Sequence, residues 1–208
     1  ALAEAGARKQ VLDLCAGGGG KTLAMAAAMQ NTGQIYAYDE DRMRLTPIFE
    51  RVKRAGVRNV QILRAGDKGA LGALGPRFDV ALVDAPCTGT GTWRRNPDAK
   101  WRMRPGALDL RLKDQALVLE RAARLVRPGG RIAYITCSVL EAENSEQIRK
   151  FIGRHPDFTV TPPSQTASVL RDKADDFLAA VYLSNEGLLM TPRRTGTDGF
   201  FVSILAKR

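Results

Sequence analysis

Three cysteines and one glycine-rich turn carry the reactive chemistry of this sequence. Cys87 closes Asp84-Ala85-Pro86-Cys87, Cys137 lies in Thr136-Cys137-Ser138, and Cys15 opens Cys15-Ala16-Gly17-Gly18-Gly19-Gly20-Lys21-Thr22. A thiolate is a strong nucleophile, but an unperturbed thiol has a pKa of about 8.5 and needs a local field to ionise near neutrality. Free cysteine is also a common small core residue, so a lone thiol says little. Position separates the readings here. Cys87 and Cys137 each follow an apolar run that reads as a strand, and each sits at that strand's carboxyl end. Two thiols at one end of a sheet, beside a turn able to hold a nucleotide-like cofactor, point to covalent catalysis of group transfer. Cys15 reads as structural in its side chain, with its backbone lining the turn.

The elements that hold these residues alternate along the chain. Strands are predicted over 10–15, 34–38 (ending at Asp39), 59–63 (ending near Asp67), 78–83 (ending at Asp84), 131–136 and 200–205. Residues 21–30 are rich in helix formers. A second helix is predicted over 42–55, with Pro47 tolerated near its start. Leu108, Leu112, Ala116, Leu119, Ala123 and Val126 recur at helical spacing, and Pro128-Gly129-Gly130 is expected to stop that helix. A further helix is predicted over 141–153, and residues 161–175 are expected to form an exposed loop. Strands alternating with helices predict an α/β fold with a mainly parallel, doubly wound sheet. Right-handed crossovers then put helices on both faces.

Ligands of such sheets sit at the carboxyl ends of the strands, where the strand order reverses. Asp39 lies about 20 residues past the glycines, the place of an acid that binds ribose hydroxyls. Asp67 is expected to reach an adenine amino group. Three ligands compete for the turn. A P-loop needs Gly-x-x-x-x-Gly-Lys-Ser/Thr, and Gly20-Lys21-Thr22 matches its end, but Cys15 takes the first glycine's place. A dinucleotide fingerprint needs Gly-x-Gly-x-x-Gly, and Thr22 replaces its third glycine. S-adenosylmethionine carries no phosphate and needs neither pattern. The plainest alternative is a turn that only packs a helix on a sheet.

Thirty-two Lys and Arg against 22 Asp and Glu give a formal charge of +10 and, with a pI near 9.9, favour an anionic partner. The run from Trp93 to Arg104 interleaves Arg94, Arg95, Lys100 and Arg102 with Trp93 and Trp101, a composition suited to phosphate pairing and base stacking. A solvated basic loop with its tryptophans folded inward is the alternative. No apolar run approaches the roughly 20 residues of a membrane span, and the first residues carry no signal-peptide pattern. An odd number of cysteines without secretory marks fits a reducing, cytoplasmic setting. His155 is the single histidine, and no metal-ligand spacing occurs.

In Asp84-Ala85-Pro86-Cys87-Thr88-Gly89-Thr90-Gly91, Tyr134-Ile135-Thr136-Cys137-Ser138, Glu143-Asn144 and Thr197-Asp198-Gly199-Phe200-Phe201 the chain resembles the RNA cytosine-5 methyltransferases of the Sun family, the bacterial ribosomal-RNA branch in particular. The resemblance covers nearly the whole sequence. It implies a Rossmann-like methyltransferase fold with an antiparallel C-terminal strand and S-adenosyl-L-methionine as cofactor. It implies methyl transfer to carbon 5 of an RNA cytosine, in ribosomal RNA, through a covalent cysteine adduct at carbon 6. It makes Cys137 the nucleophile and gives Cys87 the release of product. Cofactor contacts fall on Cys15, Ala16, Gly17, Gly18, Gly19, Gly20, Lys21, Asp39, Asp67 and Asp84. Residues 1–208 are expected to be one catalytic domain, the C-terminal part of a longer monomeric protein, without metal or membrane. The family turn reads Cys-Ala-Ala-Pro-Gly-Gly-Lys, and Gly17-Gly18 in place of Ala-Pro is expected to loosen it. That departure supports one rival, a non-catalytic RNA-binding or ribosome-assembly factor on the same fold. An amino-group methyltransferase is the other, disfavoured because Cys87 stands where such enzymes place an aromatic.

Overall fold

Apolar side chains alternate along the strands and bury both faces of a single sheet. The computed structural model describes residues 1–208. In chain order the elements are β1 (Gln10–Asp13), α1 (Gly20–Ala28), β2 (Gln34–Ala37), α2 (Arg42–Leu45), α3 (Pro47–Arg54), β3 (Val60–Ile62), α4 (Lys68–Ala73), β4 (Phe78–Asp84), α5 (Ala107–Leu125), β5 (Val126–Thr136), α6 (Ser145–Arg154), β6 (Phe158–Val160), α7 (Pro163–Ser168), α8 (Ala174–Ala180), β7 (Tyr182–Ser184), β8 (Gly187–Met190), α9 (Pro192–Thr195) and β9 (Phe200–Lys207). The sheet order is β3-β2-β1-β4-β5-β9-β8-β7, with β6 also paired to β9. The first five strands run parallel, and β9 joins β5 antiparallel. The order reverses between β1 and β4, which makes the carboxyl ends of β1, β4 and β5 the ligand end of the sheet.

Leu12, Ala81, Val83, Ile132 and Tyr134 point to one face, where α5 and α6 cover them with Val118, Leu119, Ala122, Ile148 and Phe151. Val11, Val80, Leu82 and Ala133 point to the other, under Met25 and Ala26 of α1. The expected α/β architecture with helices on both faces is therefore present.

Local differences from the sequence expectations have identifiable causes. The helix expected over 42–55 is two helices, α2 and α3, meeting at Thr46. Pro47 lacks the N–H that would continue α2 and instead starts α3, while the Asp41 carboxylate caps α2 by accepting from the Met43 and Arg44 amides. Pro128-Gly129-Gly130 does not separate helix from strand. Helix α5 already ends at Leu125, and β5 runs through the Pro-Gly-Gly segment with a register shift against Phe78 and Val80. Residues 161–175 are not a loop: α7 and the start of α8 lie there, and Thr166 and Ala167 are buried. Strands β6, β7 and β8, of three or four residues each, are too short to show a period in sequence. No helix is long and apolar enough to cross a membrane.

Asp13, the last residue of β1, is fully buried and accepts a 2.7 Å hydrogen bond from the Thr22 hydroxyl of α1. Its other carboxyl oxygen has no partner. Burial raises its pKa from the ordinary 3.8 to about 7, helped by the nearby carboxylates of Asp84 and Asp39 and opposed by Thr22 and Lys21. The unfolded chain releases this proton near 3.8 and the folded chain holds it until about 7, so stability falls as pH rises through that window. We expect Asp13→Asn to remove that fall, of about 1 kcal/mol per pH unit. Urea unfolding of both proteins across the window measures it; parallel curves would contradict the assignment.

Candidate active site

Parallel pairing of β4 with β5 aligns Asp84 with Ile135, so the loops after the two strands leave the sheet side by side. Cys87 and Cys137 meet there, with Sγ atoms 3.3 Å apart. Lys21, the second residue of α1, reaches across from the glycine turn and pairs with Asp84 at 2.6 Å. The two thiols share one hydrogen bond, and it splits their proton affinities. Lys21 and Arg95 both act on Cys137. Donation from the Cys87 thiol lowers the pKa of Cys137; Lys21 assists, while burial and Asp84 oppose. The same contact, together with burial, raises the pKa of Cys87. Cys137 is thus the thiolate-leaning member and Cys87 the protonated one. Cys15 is raised by burial and by Asp39, Asp13 and Asp84, as suits a structural thiol.

Two side chains contact the glycine turn. Gly17 N–H donates to Asp39 Oδ2 at 2.9 Å, and the Gly18 carbonyl accepts from Arg51 Nη1 at 2.8 Å. Gly19 stands at φ +81°, and a Cβ there would collide with Ile48 of α3. The P-loop alternative is disfavoured by geometry: Thr22 is buried on Asp13 and Lys21 is committed to Asp84, so neither is aimed at a phosphate.

A cavity of about 330 Å³ lies between the turn and α5. Asp39, Glu40, Asp41 and Asp114 line it together with Arg44, Arg111 and Arg121, a wall of mixed charge whose carboxylates can accept from ribose hydroxyls, and Leu14, Pro86, Leu117 and Val118 give it an apolar wall suited to a flat base. Of the expected cofactor residues, Cys15 and Asp39 line this cavity, while Lys21 pairs with Asp84 at the carboxyl end of β4. Asp67 does not line this cavity; it is the N-cap of α4, accepting from Ala70 N–H, next to Gly66, whose N–H donates to the Asp39 carbonyl. The contributions of Leu117, Val118 and Arg121 were not legible in sequence, because nothing in a helix pattern says which turn leans over a neighbouring strand end.

The basic run after Cys87 divides its two tryptophans. Trp93 folds inward, half-buried, whereas Trp101 is 81 % exposed with Lys100 over its ring. Arg95 is fixed by two hydrogen bonds to Asp198 Oδ2, at 3.0 and 2.8 Å. Arg102, Met103 and Arg104 line a second cavity, of about 510 Å³, that opens on Cys87. Gly91 ties this region together: its N–H donates to the Cys137 carbonyl, its own carbonyl accepts from Gly199, and a Cβ would strike Gly199.

Residues 2–206 match the family model described as 16S rRNA methyltransferase RsmB/F. The chain is 35% identical over 205 residues to the probable ribosomal RNA small subunit methyltransferase B of Synechocystis, covering 95% of this chain and 43% of that protein. It is 34% identical over 203 residues to the probable enzyme of the same name from Bacillus subtilis, with the same coverage. NSun6 from Pyrococcus horikoshii, solved with the S-adenosylmethionine analogue SFG, superposes with a TM-score of 0.75 at 26% identity, over 96% of this chain and 48% of that one. The chain spans about 43% of the length of these curated relatives.

The hydrogen bond between the thiols sets their relative reactivity. We expect iodoacetamide to alkylate Cys137 faster than Cys87 at neutral pH. Cys87→Ala should slow Cys137 by about tenfold for each pKa unit lost with the donor. Peptide mass spectrometry of timed samples reads both rates; a faster Cys87 would reverse the assignment.

Proposed function

The chain belongs to the 16S rRNA methyltransferase RsmB/F family, and from that premise we propose that it methylates carbon 5 of a cytosine in ribosomal RNA through a covalent adduct on Cys137. The observation that carries this reading is the 3.3 Å approach of two thiols of opposite proton preference, beside Lys21 and Asp84 at the ligand end of the sheet. S-adenosylmethionine is the cofactor, and when bound it supplies the methyl group. The carboxylates and the apolar wall of the 330 Å³ cavity fit its adenosine portion. Cys15 to Lys21, Asp39 and Asp84 are the residues we assign to holding it, and Asp67 would join them only from its capping position.

Cytosine carbon 5 is a poor nucleophile. In the proposed sequence the Cys137 thiolate adds to carbon 6, which moves electron density to carbon 5 and would let that carbon take the methyl group as its bond to the cofactor's sulfonium sulfur breaks. A base then takes the carbon 5 proton, and the electrons of that C–H bond restore the ring double bond and expel the Cys137 sulfur as its thiolate. Cys87, held protonated beside that sulfur, is placed to assist the expulsion. Lys21 favours the thiolate at the start and orients Asp84. The target base must leave its stack to meet Cys137, so unpaired RNA is the fitting substrate. Trp101, with Lys100, Arg102 and Arg104, offers a stacking platform and phosphate contacts along the path to the 510 Å³ cavity. The rival reading as a non-catalytic assembly factor drew its support from a loosened glycine turn, and Asp39 and Arg51 hold that turn.

We expect Cys137→Ala to abolish both methylation and covalent RNA attachment, and Cys87→Ala to accumulate a protein–RNA adduct stable in denaturing gels. An adduct that survives Cys137→Ala but disappears with Cys87→Ala would sink the assignment of roles. Trp101→Ala should weaken binding of single-stranded RNA by about tenfold, the loss of one stacked base. Fluorescence anisotropy at fixed salt measures it.

A further inference from the structure

Glu143 and Asn144 are consecutive, 0% and 2% exposed respectively, and lie at the entry to α6. Neither touches the cavities described above. The Glu143 carboxyl group accepts from the Thr88 amide at 2.8 Å, from the Thr88 hydroxyl, and from Gln115 Nε2 at 3.0 Å. Gln115 Nε2 also donates to the Pro86 carbonyl. Cys87 is therefore bracketed, with Pro86 and Thr88 both tied to this pair. Asn144 does the same for the other thiol. Its Oδ1 accepts from the Thr136 hydroxyl at 2.6 Å and its Nδ2 donates to the Ser138 carbonyl at 2.9 Å, one residue on either side of Cys137. The Tyr134 hydroxyl donates to the Glu143 carbonyl at 2.7 Å and pins the same peptide to β5.

Burying a carboxyl group is expensive unless donors surround it, and apolar residues of similar volume often pack such a corner as well or better. Glu143 pairs with no Lys or Arg here; its partners are donors on the Cys87 loop and on α5. Its cost is matched by geometry. We propose that Glu143 and Asn144 are positioning residues that set the distance between the two thiols: Glu143 places Cys87 through Thr88, and Asn144 places Cys137 through Thr136 and Ser138. The division of labour rests on the thiol roles proposed above; the setting of the distance does not.

Two measurements test this on the intact protein. Closure of a Cys87–Cys137 disulfide by diamide, followed by peptide mass spectrometry, needs no RNA and reports the approach of the sulfurs. Glu143→Gln and Asn144→Ala should each slow it by about tenfold, as expected for losing hydrogen bonds that hold a loop. Thr88→Val keeps the carboxyl group, loses one donor and should act in the same direction, which covers failure of Glu143→Gln to fold. Closure at the parent rate in all the folded variants would overturn the proposal. In the RNA-adduct gel, Glu143→Gln should accumulate adduct as Cys87→Ala does. Asn144→Ala should form adduct slowly and accumulate none. Identical behaviour of the two variants, with Cys87→Ala accumulating adduct, would overturn the division between them. Should Cys87→Ala itself give no adduct, the thiol roles fall, and disulfide closure alone decides the positioning.

Discussion

Everything at the reactive end of this molecule depends on the parallel register of β4 against β5. Side chains fifty residues apart in sequence come within 3.3 Å because Asp84 and Ile135 are paired, and each strand then has only a few residues in which to turn. A parallel pair cannot be joined by a tight turn; it needs a long crossover, and α5 is that crossover. The helix that makes the register possible is also the one whose Gln115 holds the Pro86 carbonyl and whose Leu117 and Val118 wall the neighbouring cavity. Topology and site are thus built from the same residues.

Charge is distributed along a short path from the turn to the thiols. Asp13 is buried and holds its proton up to about pH 7, Thr22 fixes α1 to it, and the next residue back, Lys21, spans to Asp84. Lys21 therefore cannot move without disturbing both the anchoring of α1 and the field at Cys137. Arg95 adds positive charge from the other side and is itself steadied by Asp198 near the start of β9. Elements far apart in the sequence converge on one sulfur atom.

Much of this was legible in the sequence, and what was not has a physical reason. The apolar run of β4 and the residues ending β4 and β5 were read correctly, and a strand's end fixes where its next side chain emerges; β1 ends two residues before, and β9 two residues after, the expected positions. The α5 stripe was right in its C-terminal half, where Leu119, Ala123 and Val126 are buried, and incomplete before it. Gln115, Val118, Leu119 and Ala122 are buried, whereas Ala116 is only partly so. A glutamine on the inward face is discounted by any hydrophobic pattern, although it is there because it hydrogen-bonds. The short strands β6 and β8 owe their existence to pairing with β9, and β7 to pairing with β8. The family motif carried Glu143-Asn144 without any indication of what they touch, because hydrogen-bond partners eight and fifty-five residues away leave no periodic trace.

The Gly18 position carries an implication for how this sequence can change. A Cβ there would come within 3.1 Å of Arg51 Nη1, the guanidinium that holds the Gly18 carbonyl. A proline at 18 would stiffen the turn by its own ring but push that guanidinium aside. A glycine leaves the turn dependent on Arg51. Stiffness supplied from within the backbone and stiffness supplied by a side chain from α3 are two ways to hold the same turn, and the first requires the Arg51 guanidinium to shift. Positions 18 and 51 are therefore expected to covary across the lineage, exchanging as a pair rather than one at a time.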